Sequence, residues 1–284
     1  MSETLFGQGQ KTKTKTKTKT GDSKNDRYLS VRLTGNREEC TVRGVVLYRG
    51  PSQLDDGADI VVVATLRSTN VKVGDVPQIW ILRADTPPNE AAKQDLDKVV
   101  CGDCALRGNG CYVVLFMGPL SVYKAWKRGI YPEVSVRQFA GLVRAPIVRV
   151  GAYGDPAAVP IHIWDKLRKH LNPAIKMVGY THQWADMPIL SSAQYARYFM
   201  ASVESSHQRD LAKRLGYRTF RIRRPGAAVL EGEFQCPAVD DGSPIKMTCD
   251  RCGACDGSFR GTRKPDVTLE AHGSTMNRAL QVVA

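Results

Sequence analysis

The chain has 284 residues, is 42% hydrophobic and 24% charged, and carries 41 Lys and Arg against 28 Asp and Glu, a formal net charge of +13. That balance excludes a disordered or collagen-like chain and allows one large domain or two small ones. No run of 18 apolar residues occurs and Met1–Gln10 has neither a basic segment nor an apolar stretch, so neither a membrane span nor a secretory leader is expected and the protein reads as cytoplasmic.

Residues 11–20 read KTKTKTKTKT, with lysines at Lys11, Lys13, Lys15, Lys17 and Lys19 and no apolar side chain. Such a segment has nothing to bury against the entropy cost of ordering, so 1–27 is expected to be a disordered basic tail. It accounts for +4 of the charge and leaves +9 on the rest. A polycation beside a basic body attracts phosphate backbones without sequence preference, which makes nucleic acid the expected partner; a solvated repeat that aids solubility is the other reading.

From 28 to 88, Tyr28–Leu33, Cys40–Leu47, Asp59–Leu66 and Gln78–Leu82 alternate as short strands between turn residues, which predicts a small antiparallel β region, a lobe of its own. Asn89–Val100 has helical spacing after Pro87-Pro88. Tyr112–Phe116 is a continuous apolar run, expected as the first strand of a new rhythm. Helices are then expected at Val134–Val143, Pro156–Leu171 with Asp155 as its cap, near Ser191–Tyr195, and at Ser206–Leu215. Between and after them, strands are expected at Ile147–Val150, Ile175–Val178, Tyr198–Ser202, Thr219–Ile222 and Val267–Ala271. Alternation of this kind predicts an α/β fold: a partial or complete (β/α) barrel over 89–284, with the N-terminal antiparallel lobe and a cysteine-rich metal-binding insertion. No GxGxxG opens a helix, so a dinucleotide-binding domain is not indicated.

Reactive groups in such folds gather at the carboxyl ends of strands. The segments there are Gly151-Ala152-Tyr153-Gly154-Asp155-Pro156, Gly179-Tyr180-Thr181-His182-Gln183-Trp184 and Ser202-Val203-Glu204-Ser205. Three successive strand ends thus supply Asp155, His182 and Glu204 as candidate catalytic residues, although each alone also suits a cap, a turn or an interior hydrogen bond.

Seven of the eight cysteines form two groups, Cys101, Cys104 and Cys111 in one and Cys236, Cys249, Cys252 and Cys255 in the other; Cys40 stands alone and reads as a small buried hydrophobe. Thiols this close in a reducing compartment point to metal. The second group, CxxCxxC with a remote Cys-Pro, resembles the runs that hold a [4Fe–4S] cluster and supplies four thiolates by itself. Three thiolates in the first group leave one iron of such a cluster open. The alternative is zinc, with His162, His182 or His272 filling a gap.

Cys101–Tyr112 (CGDCALRGNGCY), GAYGDP at 151–156, GYTHQW at 179–184, MASV at 200–203 and TCDRCGACDG at 248–257 together resemble a family of cysteine-rich proteins encoded by phages and plasmids, over roughly 78–275. Membership implies the host cell cytoplasm, or a virion, as the setting. More distantly, a three-cysteine loop at the start of a partial barrel followed by Gly-x-Gly-acid-Pro is similar to radical S-adenosylmethionine enzymes. That likeness implies S-adenosylmethionine as a cofactor contacted by Gly151, Gly154 and Asp155, with an auxiliary cluster on the second group. The cysteine spacing departs from those enzymes: x2 then x6 here, x3 then x2 there.

Two functions are therefore expected as alternatives. One is an iron-sulfur protein, radical-S-adenosylmethionine-like, acting on or near nucleic acid. The other is a non-catalytic nucleic-acid-binding or virion assembly protein with structural zinc or iron-sulfur sites, in which Arg218, Arg221, Arg223 and Arg224 hold phosphates while Tyr217 and Phe220 stack on bases. A strand with one wet face would also place arginines at alternate positions.

Overall fold

The computed structural model describes residues 29–32, 39–55, 57–108, 110–239, 247–260, 264–273 and 275–283. The five lysines at 11–19 lie outside these. The chain divides into two units, 1–43 and 44–284. In the first, β1 (Leu29–Arg32) and β2 (Glu39–Val42) pair antiparallel, with Leu29 opposite Val42. Cys40 falls in β2, and its side chain is outside the described set.

The second unit begins with an antiparallel meander, β3 (Gly44–Pro51), β4 (Asp59–Thr65) and β5 (Gln78–Arg83). Ile60–Ala64 of β4 are fully buried, as expected for a Val-rich strand with both neighbours and both faces covered. Three helices follow: α1 (Pro88–Lys93), α2 (Lys98–Cys101) and α3 (Gly118–Lys127). Next, α4 (Val136–Leu142) starts on a capping box in which Ser135 and Gln138 satisfy each other's backbone N–H groups. Then come β6 (Ile147–Tyr153), α5 (Ile161–His170), β7 (Lys176–Val178), β8 (Tyr180–Thr181), α6 (Ile189–Ala196), β9 (Met200–Val203), α7 (Ser206–Arg214) and β10 (Thr219–Arg223). The described chain closes with β11 (Glu233–Gln235), α8 (Cys249–Cys252), β12 (Asp266–Glu270) and α9 (Met276–Ala279).

These strands form two five-stranded sheets, ordered β3-β4-β5-β6-β7 and β11-β12-β10-β9-β8. From β5 onward every pairing is parallel, and helices fill the crossovers. β7 and β8 are separated only by Gly179, so one stretch of chain leaves the first sheet and enters the second. A Cβ at 179 would meet Val150 O at 2.7 Å, and glycine removes that clash. Phe139 of α4 and Trp164 and Leu167 of α5 are fully buried in the core.

The structure thus bears out a mixed α/β fold with an antiparallel N-terminal start, and corrects two details. The expected boundary at 88 does not divide the fold, because β5 pairs parallel with β6 and keeps the meander in the same sheet. Tyr112–Phe116 is a turn, not a strand: Val114 and Phe116 are exposed, and the run leads into α3, whose Pro119 suits the first helical turn. A short apolar run fixes neither strand nor turn by itself. No described helix is long and apolar enough to cross a membrane.

Candidate functional site

The carboxyl ends of β6, β8 and β9 meet. Asp155, just beyond β6, accepts from Ala157 N–H through Oδ1 (2.9 Å) and from His182 N–H through Oδ2 (2.7 Å). It caps the single 3-10 turn Pro156–Ala158 and also pins the segment after β8. His182 Nε2 lies 3.3 Å from Glu204 Oε1, just beyond β9. Neither atom has a partner in full hydrogen-bond geometry, and both are buried. Three residues from three strand ends are therefore brought together.

The first cysteine loop docks against them. Cys101 ends α2, and Asp155 N–H donates to Val100 O at 2.6 Å, tying α2 to the end of β6. Ser52 Oγ donates to Val99 O at 2.6 Å. Gln183 Nε2 donates to Cys101 O at 3.1 Å while its Oε1 accepts from Asp103 N–H at 3.4 Å. Gly102, at φ 54°, leaves room for that amide; a Cβ there would sit 2.3 Å from Gln183 Oε1. Arg107 holds the base of the loop through Asp95 and, at 2.7 Å, Asp97, and Cys111 N–H returns to Leu106 O.

The thiols of Cys101, Cys104 and Cys111 lie within electrostatic reach of one another. Burial pushes the Cys101 thiol well above its ordinary pKa, and the neighbouring thiols add to the rise. Burial alone would lower the His182 pKa, but Cys104 and then Glu204 outweigh it and hold the imidazole well above its usual value. Burial likewise raises the Asp155 carboxyl, against the hydrogen bonds it accepts.

The other group gathers around the strand that changes sheets. Cys236 follows β11 and donates its N–H to Thr268 O at 2.8 Å. Cys249 and Cys252 bound α8, whose Gly253 takes the left-handed cap conformation. Cys249 N–H reaches Lys72 O at 3.1 Å, and Gly179 N–H reaches Cys255 O at 3.2 Å. The Cys255 thiol senses Cys236, Cys249 and Cys252, and burial is the main cause of its raised pKa. Cys104 and Cys255 pack against one apolar cluster that includes Met200 and Phe220.

Among the described residues no three His, Cys, Asp or Glu side chains are gathered to hold a metal ion. Of the histidines weighed for a zinc site, only His182 lies beside the thiols of either group: His272 packs on the Tyr112 ring with Nδ1 at Glu270 O, and His162 sits in the first turn of α5.

The glycines expected at a cofactor have structural duties. Gly151 (φ 72°) lies where the β5–β6 register shifts, and Gly154 (φ 81°) packs so closely on β5 that a Cβ would meet Ile81 O at 2.7 Å. The arginines require a correction. Arg218, Arg221 and Arg223 are buried and paired with Asp256, Glu233 and Glu270, and the turn after β10 covers Arg221 and Arg223 through Ala228 O and Ala227 O. No phosphate reaches them, and Tyr217 and Phe220 are buried away from any base. Only Arg224 of the four is exposed, donating to Leu280 O.

Tyr153, Tyr180 and Gln183 carry no role that their motifs alone would signal. Their neighbours are the cysteine loops, distant in sequence, and no local pattern carries that pairing. No family model, no curated protein and no solved structure matches the chain.

Proposed function

We propose that the protein is an iron-sulfur protein whose reactive centre is the group Cys101, Cys104 and Cys111, with the second group holding a further cluster. One observation carries this reading: the three-thiol loop is docked onto the joined ends of β6, β8 and β9, beside Asp155, His182 and Glu204. The donor set fits. Seven thiols in two groups, one of them a CxxCxxC run with a remote Cys-Pro, suit iron-sulfur ligation.

A bound cluster would supply one-electron chemistry, with three protein thiolates leaving one iron free for a ligand. The chain's own residues do the rest. Asp155 fixes the His182 backbone, Glu204 faces the imidazole, and Gln183 fixes the Cys101–Asp103 backbone. In this reading the parallel strands β5, β6 and β7 of one sheet and β8, β9 and β10 of the other are two arcs of a partial barrel, with this centre at its mouth. S-adenosylmethionine is the candidate ligand for the open iron, although both Asp155 oxygens are already engaged by backbone N–H groups. Contact with nucleic acid rests on Lys11, Lys13, Lys15, Lys17, Lys19 and Arg224, since the other arginines are buried.

Anaerobically isolated protein should be brown, with broad absorbance near about 400 nm from thiolate-ligated iron, and should contain iron and sulfide. Cys111→Ala should remove one cluster and leave the second group's signal. Colourless protein containing only zinc would overturn the proposal.

A further inference from the structure

At each thiol group a backbone hydrogen bond ties the cysteine segment to a strand end, and a tyrosine of that strand lies beside a thiol. At the first, Asp155 N–H to Val100 O (2.6 Å) brings the end of β6 against α2. Tyr153, the last residue of β6, is buried. Its hydroxyl meets no partner in full hydrogen-bond geometry, and the Cys101 thiol is the foremost of the titratable groups around it, ahead of Asp97 and Cys111. At the second, Gly179 N–H to Cys255 O (3.2 Å) and the bridge between Val178 and Asp256 bring the segment after α8 against the strand that changes sheets. Tyr180, the first residue of β8, packs its ring 4.4 Å from that of Phe220 and turns its hydroxyl to the Cys255 thiol.

A thiol is a weak acceptor and a thiolate a strong one. A buried hydroxyl left without a partner is destabilising, and that cost is relieved once the facing cysteine gives up its proton to a metal. The orphaned Tyr153 hydroxyl is thus a donor already in place for a ligating sulfur. Hydrogen bonds to cluster sulfurs are among the levers that set reduction potential, and a donor favours the reduced cluster because that form puts more negative charge on sulfur.

We propose that Tyr153 and Tyr180 are positioning residues that set the reduction potentials of the two centres separately, Tyr153 by donating to Cys101 and Tyr180 by donating to Cys255. The inference rests on the iron-sulfur reading and assigns to each centre the residue that tunes it. Neither tyrosine ligates iron, so cluster content is unchanged when the hydroxyl alone is removed.

The test is a redox titration of the anaerobically isolated full chain with dithionite and mediator dyes, followed by electron paramagnetic resonance, with signals assigned through Cys111→Ala and Cys252→Ala. Tyr153→Phe should lower the potential of the first centre and spare the second, and Tyr180→Phe should do the reverse. Each shift is expected to be about tenfold in the reduction equilibrium, 59 mV for one electron. Should a Phe variant fail to fold, difluorotyrosine placed at that position alone gives a stronger donor and should raise the same potential. Clusters present with potentials unmoved by either change, or a shift at the wrong centre, overturn the inference. Protein that binds no iron and sulfide overturns the iron-sulfur reading itself.

Discussion

Asp155 was legible in the sequence because its partner is local: an Asp before Pro at a helix start is a cap, and Oδ1 on Ala157 N–H bears that out. Its second bond, to His182 across two strand ends, has no local signature. The same limit explains the arginines of β10. Alternation along one strand predicted a wet face, but Glu233 comes from β11 and Glu270 from β12, and they turn that face inward. Tyr198 shows how a single buried hydroxyl carries a pH signature. Burial and the hydrogen bond to Asp165 Oδ1 push its pKa up to about 12. The folded state keeps that proton after the unfolded chain, near 10, has lost it. Its contribution is therefore complete below pH 10 and is lost as pH rises toward 12. Chemical unfolding of Tyr198→Phe across pH 9–12 should show a shallower alkaline loss of stability than the parent; an equally steep loss would assign it to other groups.

Among the elements, strands and helices with clear periodicity were legible to within a few residues, as for α7, α4 and β12. The expected strand at Tyr112–Phe116 fails because that run follows neither period and closes the cysteine loop through Cys111 N–H to Leu106 O, whereas α3 does carry helical spacing in its buried Pro119, Val122 and Tyr123. Glycine positions separate two kinds of constraint. Gly216 has φ 86° with open space around its missing Cβ, whereas Gly154 has φ 81° and Ile81 O at 2.7 Å from that point. Gly216→Ala should cost about 1–2 kcal/mol from backbone strain alone. Gly154→Ala should cost clearly more, because β5 must shift as well. Urea midpoints of the two variants measure the difference, and equal costs would mean that the β5–β6 contact yields without penalty.

At the scale of the whole molecule, part of the positive charge seen in the sequence is spent inside the second unit. Arg218, Arg221 and Arg223 are consumed internally, while Arg209 and Lys213 both face the buried Asp266. Removing one partner of such a pair leaves the other charge stranded. Arg221→Ala, which leaves Glu233 to Arg209 and the Leu230 N–H alone, should therefore destabilise the protein, by less than the about 3–5 kcal/mol of a charge left wholly unpaired. It should leave the salt dependence of retention on a phosphate-bearing resin unchanged, since a buried arginine neutralises no phosphate. A flatter dependence would restore a surface role to this residue.

Gly179 has a consequence for how the molecule comes apart. Because β7 and β8, the outer strands of the two sheets, are joined through this single glycine, one sheet cannot peel away without pulling on the edge of the other. Heating should melt the body from Gly44 onward in one step, with the fluorescence of Trp164 and Trp184 and the far-ultraviolet signal changing together.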